Sequence, residues 1–281
     1  MIRLNLDRLS TACVCFDFTI LTNLKCLNLL HRANDAFQEY KDEHIQGAVF
    51  LDLRECRDKS SKYSNALPSS DTFERELSSI GIRNDHHVII YEKRKNVFYA
   101  APRVWMMFRI MGHEKVSLLN GGFSLWKQKK YPITSSIESL PKTIYSSNFT
   151  NKLLASTEDL KENLTSKTFY HIDTRSKKQF IGEESPKGFA KGHLIGSINV
   201  PIPACFDAKT NCFLSKEEIE EYLEKFRINE TTPIISSCNS GMTACGGLFL
   251  LYCIGNTDAR LYPSGMQGFK DEFLDELEIN E

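Results

Sequence analysis

The sequence predicts an α/β protein made of two tandem copies of one domain, each a mainly parallel sheet flanked by helices. Three ordered repeats predict it. A histidine turn leading into an apolar run occurs as His44-Ile45-Gln46-Gly47-Ala48 and again as His193-Leu194-Ile195-Gly196-Ser197, roughly 150 residues later. A strand-like run follows in both places, Val88-Ile89-Ile90-Tyr91 ahead of Glu92 and Pro233-Ile234-Ile235-Ser236-Ser237 ahead of Cys238. A third strand then meets a glycine turn, Val116-Ser117-Leu118-Leu119 before Gly121-Gly122 and Ala259-Arg260-Leu261-Tyr262 before Gly265. Matches in the same order at nearly one offset mark a duplicated unit. Short apolar strands alternating with helical stretches mark parallel sheets.

A chain of 281 residues is long for one domain and comfortable for two, each large enough to bury a core. The first domain is expected over residues 1–134. Residues 131–156, rich in Ser, Thr, Lys and Pro, read as connecting chain, so a linker is placed at 135–155. The second domain occupies 156–281 and opens with a helix that Ser156 caps. Ser215 stands three residues before Glu218, the spacing of a capping box for a helix over 217–226. A last apolar helix is expected over 243–252, directly after the loop that follows Ser237.

Composition narrows the partners. A formal net charge of −1 offers no broad field for nucleic acid or an anionic membrane. No apolar run approaches the roughly 18–20 residues that span a bilayer; residues 12–30 are interrupted by Asp17, Asn23, Lys25 and Asn28. Arg3 and Arg8 suit a mitochondrial targeting helix, but Asp7 lies between them, so the expected location is mitochondrial or cytoplasmic. Nine cysteines without a CxxC pair suit free thiols in a reducing compartment and offer no zinc-ligand spacing. Most of them are expected to be small buried hydrophobes.

Cys238 is set apart by its surroundings. A buried strand, the short polar loop Asn239-Ser240-Gly241 and an apolar helix place it at the C-terminal edge of a parallel sheet, where open α/β folds bind their ligands. Loop N–H groups and the helix N-terminus gather around one anion there, and a thiolate is the nucleophilic form of cysteine. The blander reading is a core cysteine that ends a strand, as free cysteines commonly do. The small, polar neighbours weigh against it.

Cys238-Asn239-Ser240-Gly241-Met242-Thr243-Ala244-Cys245 resembles the active-site loop of the 3-mercaptopyruvate sulfurtransferases, Cys-Gly-Ser-Gly-Val-Thr-Ala-Cys. Thiosulfate sulfurtransferases, the rhodaneses, carry Arg and Lys at its second and third positions, so Ser240 favours the mercaptopyruvate branch. The resemblance runs over about residues 34–269 through Asp42-Glu43-His44-Ile45-Gln46-Gly47-Ala48, Tyr99-Ala100-Ala101-Pro102-Arg103-Val104-Trp105, Leu119-Asn120-Gly121-Gly122 and Gly192-His193-Leu194-Ile195-Gly196-Ser197. It implies two tandem rhodanese-like domains. Related dual-specificity phosphatases need an arginine six positions after the cysteine to grip phosphate bidentately, and that position here is Ala244.

The resemblance also implies a mechanism. The Cys238 thiolate takes sulfur from 3-mercaptopyruvate as a persulfide, releases pyruvate, and passes the sulfur to thioredoxin, a small thiol or cyanide, without metal or organic cofactor. A proton relay carried over from the family maps onto Ser240, His44 and Asp35. Against it, His193 at the matching turn shows that this turn also uses histidine structurally.

The family's two substrate arginines follow an Asp-x-Arg motif. Here Asp173-Thr174-Arg175 is followed by Gln179 and Lys187 at their positions, which predicts a weaker grip on the substrate carboxylate. Arg175 itself is a further substrate-binding candidate or an ion-pair partner of Asp173. Asn239, Gly241, Met242 and Thr243 complete the loop. Glu92 replaces the cysteine in the first copy, which is therefore expected to be catalytically silent. Pro263-Ser264-Gly265-Met266 replaces the family's Asp-Gly-Ser-Trp turn, and residues 1–33 do not match its usual start. Alternative functions are thiosulfate sulfurtransfer and a catalytically weak binding or sulfide-sensing role. The expected state is monomer or homodimer.

Overall fold

The computed structural model describes residues 3–5, 13–17, 24–30, 36–93, 99–137, 140–207 and 209–279. They form two compact units, one of Met1–Asp58, Leu67–Phe149 and Phe206–Ser215, the other of Lys59–Ala66, Thr150–Cys205 and Lys216–Glu281. Each half of the chain thus lends a short excursion to the other unit, where the sequence pattern alone suggests two unbroken domains.

The first unit contains strands β1 (Arg3–Asn5), β2 (Cys13–Asp17), β3 (Leu24–Leu30), β4 (His44–Ile45), β5 (Val49–Asp52), β6 (His87–Glu92), β7 (Val116–Leu119) and β8 (Ile133–Thr134). Its helices are α1 (Ala36–Asp42), α2 (Ser70–Ser79), α3 (Ala101–Ile110) and α4 (Gly122–Gln128). The main sheet runs β1-β2-β7-β6-β3-β5 and is parallel except for the antiparallel β1–β2 edge. β6 is an unbroken apolar run with Val88, Ile89, Ile90 and Tyr91 all buried, as a strand covered on both faces requires. Ile89 and Tyr91 pack with Leu119, Phe123 and Trp126 in its core.

The second unit contains β9 (Tyr170–Asp173), β10 (His193–Leu194), β11 (Ile198–Asn199), β12 (Ile234–Ser237), β13 (Arg260–Leu261) and β14 (Leu277–Glu278). Its helices are α5 (Thr157–Ser166), α6 (Lys177–Phe180), α7 (Lys216–Glu224), α8 (Met242–Ile254) and α9 (Gly265–Glu272). The sheet β11-β9-β12-β13 is wholly parallel. Ser156 caps α5 through a complete box with Asp159, each side chain reaching the other residue's N–H. The strand, loop and helix expected around Cys238 are present as β12, residues 238–241 and α8. α8 is buried nearly all round, and a Cβ on Gly247 would come within 2.9 Å of Thr174 Cγ2, so glycine lets the helix approach the sheet edge.

The repeat extends to details. Both histidine turns are held by a two-stranded antiparallel pair closing each copy, β4 with β8 and β10 with β14. The segment expected to be a linker is fastened at both ends. Thr143 N–H donates to Ser78 O at 3.0 Å, Asn148 N–H to Met111 O at 2.9 Å, and Tyr145 is buried, all within the first unit. Ala155 N–H donates to Leu261 O at 2.8 Å in the second. Its Ser, Thr and Pro content reflects irregular backbone, not loose chain.

Candidate active site

β12 is paired on both sides, to β9 and β13, so its C-terminal tip is rigidly placed. Cys238 follows that tip and is 2% exposed. Its carbonyl accepts the Met266 N–H at 2.9 Å at the start of α9. This contact explains Gly265: its φ is +53°, and a Cβ there would lie 2.2 Å from the Cys238 oxygen. The glycine therefore survives although the rest of the turn differs from the expected pattern.

Beneath the loop, Thr174 N–H and Oγ1–H both donate to Ser237 O, at 3.1 and 3.2 Å. The Thr174 hydroxyl also lies 3.2 Å from Thr243 Oγ1 on α8. His171 Nε2 lies 2.7 Å from Ser237 Oγ, and burial pushes this imidazole down to about 4, so it is neutral at physiological pH. Gly241, at φ +76°, turns the chain into α8, whose first-turn N–H groups have no intrahelical partners. The Cys245 thiol donates to Gly241 O at 3.1 Å, one turn back along the helix. Burial pushes the Cys56 and Cys205 thiols up to about 12, which makes both poor nucleophiles.

The predicted site residues do not all gather at one place. Asn239, Ser240, Gly241, Met242 and Thr243 form the loop and helix start beside Cys238. Gln179 joins them, since its Oε1 accepts from Asn239 Nδ2 at 3.0 Å. Lys187 is exposed on a turn at 187–188. Arg175 requires correction as a substrate-binding candidate. Its Nε and Nη2 grip the Asp173 carboxylate, at 2.9 and 2.5 Å to Oδ2, and Nη2 also donates to Gly192 O at 2.7 Å. Both side chains are almost wholly buried, so Arg175 is a structural ion-pair partner.

His44 has a corrected setting as well. Its Nδ1 lies 2.7 Å from Tyr40 O and its ring stacks on Tyr40 at 3.9 Å. His193 does the same, with Nδ1 2.9 Å from Phe180 O and its ring 3.7 Å from Phe180. A carbonyl only accepts, so Nδ1 carries the hydrogen in both rings. The relay needs that same Nδ1–H for a carboxylate, and in His44 it is committed to the backbone. Asp35 lies outside the described residues.

Asn65 is the site residue that sequence reasoning missed. Its Nδ2 donates to Ser240 Oγ at 2.7 Å across 175 positions of chain, a pairing that leaves no trace in periodicity or motif spacing.

A family model described as the rhodanese-like domain matches residues 33–129 and again 156–272. The chain belongs to the rhodanese family. It is a tandem-rhodanese sulfurtransferase, with one rhodanese-like segment per copy of the repeat. Bovine thiosulfate sulfurtransferase is 37% identical over 231 residues, covering 81% of this chain and 77% of its own. Human 3-mercaptopyruvate sulfurtransferase is 34% identical over 230 residues, with the same coverage. Among solved structures, the 3-mercaptopyruvate sulfotransferase SseA from Escherichia coli superposes with a TM-score of 0.78 at 27% identity, covering 86% of this chain and 92% of its own. Rhodanese domains thus account for the duplicated strand-loop-helix.

Proposed function

We propose that this sulfurtransferase moves sulfur from 3-mercaptopyruvate, through a persulfide on Cys238, to thioredoxin, a small thiol or cyanide. The Cys238 thiolate attacks the substrate sulfur, an S–S bond forms, and the C–S bond breaks with its electron pair passing into the pyruvate enolate. The enolate then takes a proton to give pyruvate, and an acceptor thiolate or cyanide removes the outer sulfur. The observation that carries this reading is the neutral character of the loop's side-chain partners, Gln179 on Asn239 and Asn65 on Ser240. Dianionic thiosulfate is better served by cations at positions 239 and 240.

Six described cysteines are free, which supports a reducing compartment, mitochondrial or cytoplasmic. Among the described residues no helix is long and apolar enough to cross a membrane. A second reading, thiosulfate as the donor, is favoured by the identity to the bovine thiosulfate enzyme. Steady-state rates with the two donors separate them. Faster turnover of mercaptopyruvate, lost in Cys238→Ala, supports the first reading, and faster turnover of thiosulfate supports the second.

A further inference from the structure

Asn65 belongs to the segment Lys59–Ala66, which packs within the unit that holds Cys238. The segment is anchored there through α9. Ser64 N–H and Oγ–H donate to Gln267 Oε1 at 3.3 and 3.2 Å, and Lys62 pairs with Asp271 at 2.6 Å. Gln267 N–H in turn reaches Asn239 O at 3.4 Å. Asn65 is therefore presented to the loop by a fastened stretch of chain, and Ser240, which it meets, is only 8% exposed.

The chemistry of that contact is directional. An amide nitrogen carries two hydrogens and no available lone pair, so at 2.7 Å from Ser240 Oγ it can only donate. Ser240 then spends a lone pair on Asn65, and its own hydrogen is left for a different acceptor. We propose that Asn65 is a positioning residue that sets the polarity of Ser240, holding the hydroxyl as a donor toward the oxygen on which negative charge develops as sulfur leaves.

The proposal rests on the mercaptopyruvate reading for the identity of that oxygen. When the Cys238 thiolate forms the S–S bond and the C–S electron pair moves into the enolate, the Ser240 hydrogen bond to the enolate oxygen strengthens. It lowers the barrier because it is better made in the transition state than in the bound substrate. No proton need leave Ser240, since the enolate carbon is protonated afterwards by water.

Asn65→Asp reverses the contact, because a carboxylate only accepts and takes the Ser240 hydrogen. It should lower kcat for pyruvate release by about 10-fold or more with KM nearly unchanged. Asn65→Ala frees the hydroxyl without capturing it and should cost only about 2- to 5-fold. In a Ser240→Ala background the Asn65→Asp change should have no further effect on kcat. An equal loss in that background would show a charge or folding effect and overturn the proposal, as would a loss confined to KM.

A second measurement does not depend on the donor. The Asn65 side-chain amide proton, assigned by its disappearance in Asn65→Ala, should lie downfield in the wild-type protein and move upfield in Ser240→Ala. An unmoved resonance overturns the donor assignment. If the wild-type protein releases no pyruvate while the resonance shifts as expected, the mercaptopyruvate reading fails and the Asn65 to Ser240 polarity stands.

Discussion

The two copies of the repeat end the corresponding strand on opposite chemistry, a carboxylate in one and a thiol in the other. In the first copy β6 ends on Glu92, whose carboxylate accepts Tyr99 N–H at 2.6 Å and Ala100 N–H at 2.9 Å, just ahead of α3. In the second, β12 ends at Ser237 and Cys238 takes the corresponding place ahead of α8. A glycine presses against the loop carbonyl in both. A Cβ on Gly122, at φ +55°, would lie 3.0 Å from Glu92 O, and one on Gly265, at φ +53°, 2.2 Å from Cys238 O. In the first copy two backbone N–H groups ahead of α3 cradle a permanent carboxylate, and in the second the same place is taken by Cys238, the residue we propose carries the transferred sulfur.

If that contrast is right, Cys238→Ser should give the largest effect, lowering sulfur transfer by at least about 10³-fold while the fold is kept, because a serine alkoxide does not accept sulfur reversibly. Activity within tenfold of the wild type in a donor assay would break the comparison.

Next in size is a pair of arginines. Arg54 and Arg175 grip Asp52 and Asp173 in the same backbone-plus-side-chain pattern. However, the Arg54 side chain is 55% exposed and that of Arg175 1%. Arg175→Met strands a buried carboxylate and should cost roughly 3–5 kcal/mol. Arg54→Met should cost less than about 1 kcal/mol. Urea denaturation of both variants reads the difference, and equal losses would mean that burial does not distinguish them.

Glu92→Ala tests the filled cradle itself. It leaves two N–H groups without their carboxylate and should destabilise by about 2 kcal/mol, seen as a lowered urea midpoint. An unchanged midpoint would mean that Glu92 is a bystander.

The smallest effect is one of pH. Burial holds the folded His171 at about 4, below the unfolded value of about 6.5. Above pH 6.5 both states are neutral and nothing is lost. As pH falls through 6.5 toward 4 the unfolded chain takes up a proton that the folded chain refuses, so stability declines. Between pH 7 and 5 His171→Gln should remove about 1–2 kcal/mol of that decline. His87 and His113, which burial also pushes down, add to the decline in the same direction. A wild-type decline unchanged in His171→Gln would contradict this assignment.

What could be read before the structure was what is local or periodic. The β12 run, the Ser156 cap, the apolar helix after Gly241 and the paired histidine turns are all written in adjacent residues. Asn65 was invisible because its contact with Ser240 depends on how residues 59–66 return to the second unit. Arg175 and His44 were ambiguous for a related reason. Their residue types suit both catalysis and structure, and only the partners decide, Asp173 for one and the Tyr40 carbonyl for the other. The anchoring of the connecting chain, through Thr143, Asn148 and Ala155, is equally hidden, since backbone pairing without a strand pattern leaves no periodicity to read.

The most direct test is to treat the purified protein with 3-mercaptopyruvate, digest it without reductant, and weigh the peptides carrying Cys238 and each other cysteine. The account predicts a gain of one sulfur atom on Cys238 alone, absent in Cys238→Ser. Sulfur carried on Cys212 or Cys245 with Cys238 unmodified would contradict it.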